Sequence, residues 1–285
     1  MSRSTAPAPP EEAASPANQR LRWISALVLA AAALALLTLG TWPFFALVSL
    51  AAAVASWEWD GLTGGGGSLL SAVLRAALIV TAVLLLAVGM GWAGLALIGL
   101  GALACAFFPD SRTRLAWSAA GILYIGLPAL ALVWLRFDHT HGWFAVLFLF
   151  LVVWASDSGA YFVGRFAGGP RLAPRLSPNK TWSGAVGGML AAAIASHLFA
   201  LWLANTSALA LSLVGMGLSV VAQLGDLTES AIKRTFGVKD SSHLIPGHGG
   251  LLDRIDALLF AALAGALIAL LKGPVDPGRA LLIWS

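Results

Sequence analysis

Nine stretches of this chain are continuous apolar runs, most of them close to the roughly 20 residues a helix needs to cross the hydrocarbon of a bilayer. They fall at residues 22–40, 42–57, 69–88, 90–108, 115–135, 143–164, 184–204, 207–224 and 251–271. Strands of a membrane barrel would alternate apolar and polar residues over about ten positions. These runs do not alternate and are rich in Ala and Leu, so they read as helices. A water-soluble alternative fails on composition, because 59% of the residues are hydrophobic and only 11% are charged. In water that apolar surface would have nothing to cover it. A single cysteine, Cys105, excludes a disulfide scaffold and a cysteine zinc site. The expectation is an all-α, polytopic integral membrane protein with about nine transmembrane helices, in which 22–57, 69–108 and 184–224 form helical hairpins.

Residues 1–21 are Ser-, Ala- and Pro-rich and read as a disordered cytoplasmic tail. The first apolar run lies behind that tail and is too long for a signal-peptide core. The glycines Gly64–Gly67 read as a linker, since no strand precedes them and no Lys-Ser or Lys-Thr pair follows. Orientation follows from Lys and Arg. With the N-terminus in the cytoplasm, thirteen basic residues fall inside and three (Arg136, Lys272, Arg279) outside, with Arg75 near the inner end of the third run. Segments 57–68, 165–183 and 225–250 are then cytoplasmic and the C-terminus is not. The basic excess suits anionic lipid head groups rather than nucleic acid. Residues 22–140 form an N-terminal helical region, and 141–285 a C-terminal region that holds most of the charge.

Charges inside or beside apolar runs are costly unless paired, wetted or bound to a ligand, and four clusters stand out. Asp157 lies within the sixth run, in Ser156-Asp157-Ser158-Gly159. Ser177-Pro178-Asn179-Lys180-Thr181 precedes the seventh, where ammonium, hydroxyls and free backbone N–H groups suit phosphate. Asp226, Glu229, Ser230 and Lys233 share one helix face where the eighth run ends. The fourth cluster runs from Lys239 and Asp240 through His243, Gly247, His248, Gly249 and Gly250 to Asp253, Arg254 and Asp256. Its glycines permit close backbone approach to a ligand. His243 and His248 lack a zinc-protease pattern; hard oxygens from Asp226 and Asp253 suit Mg²⁺ better.

Residues 230–256, S-A-I-K-R-T-F-G-V-K-D-S-S-H-L-I-P-G-H-G-G-L-L-D-R-I-D, closely resemble the signature of the phosphatidate cytidylyltransferases, or CDP-diacylglycerol synthases. The resemblance extends to S-D-S-G-A-Y-F-V-G-R from Ser156, L-S-P-N-K-T-W from Leu176 and G-D-L-T-E-S from Gly225. Ser242 stands where many members have Gly, and Ser183 where many have Glu. The resemblance implies the reaction of CTP with phosphatidate to give CDP-diacylglycerol and pyrophosphate, dependent on Mg²⁺, at the cytoplasmic membrane face; the lone cysteine and the inward bias of basic residues fit a bacterial inner membrane. Resemblance and charge together assign Mg²⁺ to Asp226 and Asp253, and charge neutralisation to Lys180, Lys233, Arg234 and Lys239. His248, Gly249 and Gly250 shape the phosphate pocket, and Ser177, Asn179, Thr181, Ser230 and Arg254 bind substrate. Asp157, Glu229, Asp240 and Asp256 form a second tier around the metal. A second cation and a homodimer are left open.

Two other classes remain as alternatives. A CTP-dependent lipid-alcohol kinase would release CDP in place of pyrophosphate. A cation- or proton-coupled transporter would show two related halves, whereas the charges here gather in one. The topology has its own test. With Cys105→Ser as background, a cysteine at Ser285 should react with an impermeant reagent from outside intact cells, and one at Ser4 should not. The reverse pattern inverts the orientation.

Overall fold

The computed structural model describes residues 16–63, 69–105, 112–245 and 249–284, with side chains from residue 27 onward and, in the fifth helix, from residue 116. Every apolar run carries a helix: α1 (Pro16–Thr38), α2 (Thr41–Leu62), α3 (Leu69–Ala87), α4 (Gly91–Ala104), α5 (Arg112–Arg136), α6 (Gly142–Ala167), α7 (Trp182–Ala200), α8 (Ala208–Thr235) and α9 (Leu252–Lys272). Among the described residues, six of these (α3 and α5 to α9) are long and apolar enough to cross a membrane. The chain is a helical membrane protein. Helix α1 begins at Pro16, inside the stretch expected to be a disordered tail. The Gly64–Gly67 linker lies outside the described residues.

Expectation and structure part in two further places. The chain is not wholly helical: β1 (Arg171–Ala173) and β2 (Ser177–Thr181) pair antiparallel, with Arg171 opposite Thr181 and Ala173 opposite Ser177. Pro178 disfavours helical backbone at Ser177 and cannot donate, so this segment stays extended. Thr181 then caps α7, accepting from the Gly184 N–H at 3.1 Å. Secondly, α2 and α8 outrun their apolar runs and carry charges into the bundle. Helix α8 continues to Thr235 because nothing breaks it before Gly237, whose φ of +71° closes it. The Gly237 and Val238 N–H groups return to the carbonyls of Arg234 and Lys233, the pattern of a Schellman cap.

The N-terminal half packs in chain order, α2 on α3, α3 on α4 and α4 on α5, and α5 then joins α9. In the C-terminal half α6, α7, α8 and α9 pack in sequence, with α6 against α7 the closest seam. In that seam glycines face backbone carbonyls and side chains of the other helix at close range. A Cβ on Gly159 would lie 2.5 Å from Ala191 Cβ and 2.8 Å from the Gly187 carbonyl; one on Gly184 would lie 2.8 Å from the Ala160 carbonyl. Small residues are what allow helices in a bilayer this approach. At the opposite end of the bundle a short helix, α10 (Pro277–Leu282), packs on α9 and α6. Asp138 anchors it, accepting from the backbone N–H of Arg279, and of Thr140 and His141 before α6, at 2.8–2.9 Å. Burial pushes its carboxyl up, but these donors outweigh burial and hold it below the usual aspartate range.

The charged end of α2, expected to be a cytoplasmic loop, is instead folded into the protein: Glu58 and Asp60 are buried. Arg75 of α3 meets Asp60 at 2.5 Å, both almost wholly buried, and Ser71 donates to the other Asp60 oxygen at 2.9 Å. Removing one member of a buried pair leaves an uncompensated charge, a loss of about 3–5 kcal/mol. Arg75→Met should therefore lower the thermal midpoint in detergent sharply. Adding Asp60→Asn should recover much of the loss; equal midpoints for wild type and Arg75→Met would show the pair to be dispensable.

Candidate active site

A cavity of about 950 Å³ opens between α6, the β-hairpin, α7 and α8. Four of its lining residues are cationic, namely Arg165, Arg171, Lys180 and Arg254, and two are acidic, Asp157 and Asp226. Hydroxyl and amide groups of Ser177, Asn179, Thr181 and Gln223 fill in between. The Lys180 ammonium, projected from β2, forms an ion pair with Asp226 of α8. Asp157 lies within electrostatic reach of Asp226, Lys180 and Arg254, and the buried Asp256 within reach of Asp226 and Asp157. Beneath this cavity Ser156 meets Ser219 at 2.7 Å, and the Gln223 amide donates to Ser219 and to the Ala185 carbonyl, both at 3.2 Å. These bonds tie α6, α7 and α8 together under the polar floor.

A second cavity, about 350 Å³, lies among α1, α2, α5, α6 and α9. Its walls are aliphatic and aromatic, with Leu29, Phe44, Ile125, Val153 and Leu258 among them, and its polar end is formed by Asp157 and Arg254. Those two residues line both cavities. A cationic, water-accessible chamber thus meets an apolar one at a single carboxylate and a single guanidinium.

Both acids expected to hold Mg²⁺, Asp226 and Asp253, have protein cations as partners in the structure. Besides the Lys180 partner of Asp226, Lys233 bridges Glu229 and Asp253 at 2.5 Å each. The other Asp253 oxygen accepts from the Ser241 N–H at 2.9 Å, the Ser241 hydroxyl at 3.0 Å and the Gly250 N–H at 2.8 Å. Asp253 is therefore fully engaged in holding the loop ahead of α9. The Gly249–Gly250 turn likewise approaches protein groups and not open space. Gly249 has φ +81°, and a Cβ there would lie 2.7 Å from Asp253 Oδ2; one on Gly250 would strike the Ser241 hydroxyl and lie 2.6 Å from Glu58 Oε1.

Other expected site residues also fall elsewhere. Arg234 is exposed and braces the hairpin, donating to the Leu176 and Val238 carbonyls at 3.3 and 3.0 Å. Lys239 and Asp240 are exposed, and neither they nor Ser230 line the polar cavity. Thr181 does line it, although its hydroxyl is already committed to the α7 cap. His248 lies outside the described residues. Among the described residues no three His, Cys, Asp or Glu side chains converge as a ready metal cluster. Missed altogether was Glu58, which is 1% exposed and accepts hydrogen bonds from the Ser242 hydroxyl and the Leu251 and Leu252 N–H groups, with the Ser241 hydroxyl 3.5 Å away. Its signal was present: an acid closing an apolar run, in Trp57-Glu58-Trp59-Asp60, with no cation one turn away.

The Lys233 bridge yields a direct test. Lys233→Met should leave Glu229 and Asp253 as buried acids without their cation, a loss of about 3–5 kcal/mol seen as a lowered thermal midpoint. Adding Glu229→Gln should restore part of it. A lysine reserved for phosphate would leave the midpoint unchanged.

Comparison with known proteins agrees with the motifs. A protein named phosphatidate cytidylyltransferase from Brucella suis biovar 1 (strain 1330) is 43% identical over 260 residues, covering 88% of this chain and 95% of its own. One of the same name from Haemophilus influenzae is 49% identical over 132 residues, 44% of this chain and 45% of its own. Another, from Bacillus subtilis (strain 168), is 43% identical over 140 residues, 48% of this chain and 52% of its own. The model of the cytidylyltransferase family matches residues 20–271, a span that takes in every element from α2 to α8, nearly all of α9 and both cavities, and the chain belongs to that family.

Proposed function

We propose that this protein is a phosphatidate cytidylyltransferase of the bacterial inner membrane, joining CTP and phosphatidate into CDP-diacylglycerol with release of pyrophosphate. The observation that carries the substrate assignment is the meeting of the two cavities at Asp157 and Arg254. A water-soluble polyanion fits the cationic chamber, and a lipid tail fits the apolar one. Arg254 stands where the phosphate of such a lipid would come to rest. The full relatives carry the corresponding name across 95% of their length.

The chemistry asks little of a proton-transfer group. A phosphate oxygen of phosphatidate attacks the α-phosphorus of CTP, a new P–O bond forms, and the bond to the bridging oxygen breaks as pyrophosphate departs. The protein's work is to hold two anions in line and to balance the charge that develops. Lys180, Arg165, Arg171 and Arg254 neutralise the phosphates, and Ser177 and Asn179 orient them. Bound Mg²⁺ would neutralise the triphosphate and polarise the α-phosphorus. The residues fit it, since Asp157 and Asp226 offer hard oxygens facing one chamber, with Asp256 behind them. Asp253 is not proposed as a ligand, because Lys233, Ser241 and Gly250 occupy its oxygens. In this reading nine helices cross the bilayer, the N-terminus is cytoplasmic and the chamber faces the cytoplasm, as the distribution of Lys and Arg supports.

The test is turnover by purified protein in detergent with phosphatidate, labelled CTP and Mg²⁺. Pyrophosphate and CDP-lipid are the expected products; CDP with a newly phosphorylated lipid would overturn the assignment. Lys180→Ala should lower kcat/KM by about ten- to a hundredfold, the worth of a charge-assisted phosphate contact. Asp157→Asn and Asp226→Asn should abolish turnover in folded protein. Asp253→Asn should instead lower the thermal midpoint.

A further inference from the structure

The amides that open a helix need acceptors, and α9 provides none of its own: its N-cap position is Leu251, whose side chain cannot accept. The acceptor comes from another helix, more than 190 residues earlier. The Leu251 N–H donates to Glu58 Oε1 at 2.8 Å and the Leu252 N–H to Glu58 Oε2 at 2.7 Å. The Ser242 hydroxyl reaches Oε1 at 2.6 Å and the Ser241 hydroxyl Oε2 at 3.5 Å. A carboxylate is well suited there, facing the positive end of the α9 dipole. Gly250 has no Cβ because one would lie 2.6 Å from this same carboxylate. Asp253 grips the loop from the other side.

We infer that Glu58 is a positioning residue of the active site, acting through the first turn of α9. Two residues beyond the Leu252 amide that it holds is Arg254, which lines both cavities, and four beyond is Asp256, behind the acidic pair. A shift of that turn moves both. Glu58 lines neither cavity, so it contributes to the chemistry without touching substrate. The inference rests on the cytidylyltransferase reading of the site.

The experiment compares wild type with Glu58→Gln and Glu58→Asp in detergent, by steady-state kinetics and by hydrogen exchange of the peptide spanning Leu251 and Leu252. Glu58→Gln keeps the size but turns an N–H₂ group toward backbone donors. It should speed exchange at this peptide by about tenfold or more and lower kcat by about ten- to a hundredfold, as misplacement of a reacting centre does. The apparent KM for CTP should change by less than about threefold, because Lys180 and its hairpin do not depend on Glu58. Glu58→Asp, which keeps the charge, should fall between on both measures. Faster exchange with kcat unchanged would reduce Glu58 to a structural residue and overturn the proposal, as would unchanged exchange. Should the Glu58 variants fail to fold, Ser242→Ala removes the shortest donor to the carboxylate and should show both effects in weaker form; neither effect in folded Ser242→Ala would overturn it. If wild type makes no CDP-lipid, the functional reading fails, while the exchange arm still reports on the clamp.

Discussion

A charge inside an apolar helix bundle is stable only where its partner is built in with it, and most of this protein's architecture around the site follows from meeting that demand. Asp60 has Arg75; Asp226 has Lys180; Glu229 and Asp253 share Lys233. Glu58, among the described residues, relies on two amides and the Ser242 hydroxyl. All but the Glu229–Lys233 contact, which lies within α8, join different elements, so those acids act as fasteners between elements that hydrophobic packing alone would leave free to slide. In the loop before α9, Ser241, Ser242 and Gly250 are held in this way by Glu58 and Asp253.

The fastening divides the residues of the signature and its companion motifs into two kinds. Lys180, Asp226 and Arg254 face the polar chamber, whereas Lys233, Asp253, Gly249 and Gly250 build the frame behind it. A motif of this density is easily read as a row of substrate contacts. Here about half of it serves the placement of the other half, and that placement extends into α2.

Much of the helix layout was legible from apolar runs alone, because in lipid a run of that length has only one way to satisfy its backbone. The ends were less legible. Helix α8 ends at Gly237 and not at the charge of Asp226, since a helix stops where its backbone is capped rather than where polarity changes. The hairpin holding Lys180 is too short for a periodic signal, and only Pro178 hinted at extended backbone. In the site, the residue types were apparent but not their pairing. Nothing local in the sequence says whether Lys233 turns to Glu229, four residues away, or also to Asp253, twenty away. Glu58 escaped notice for the same reason: its partners are brought to it only by the packing of the bundle.

The glycine seam between α6 and α7 has a consequence for how the enzyme can change over time. Because glycines there face backbone carbonyls and small or branched side chains at close range, the separation of the Asp157 helix from α7, which the Lys180 hairpin leads into, leaves no room for an added methyl group. A bilayer supplies no hydrophobic force to draw helices together again once a methyl group has wedged them apart. The width of the chamber on that side is therefore a fixed gauge. Adaptation to a different lipid has to be sought in the walls of the apolar cavity, where Leu29, Phe44 or Ile125 can vary in size without widening the polar chamber.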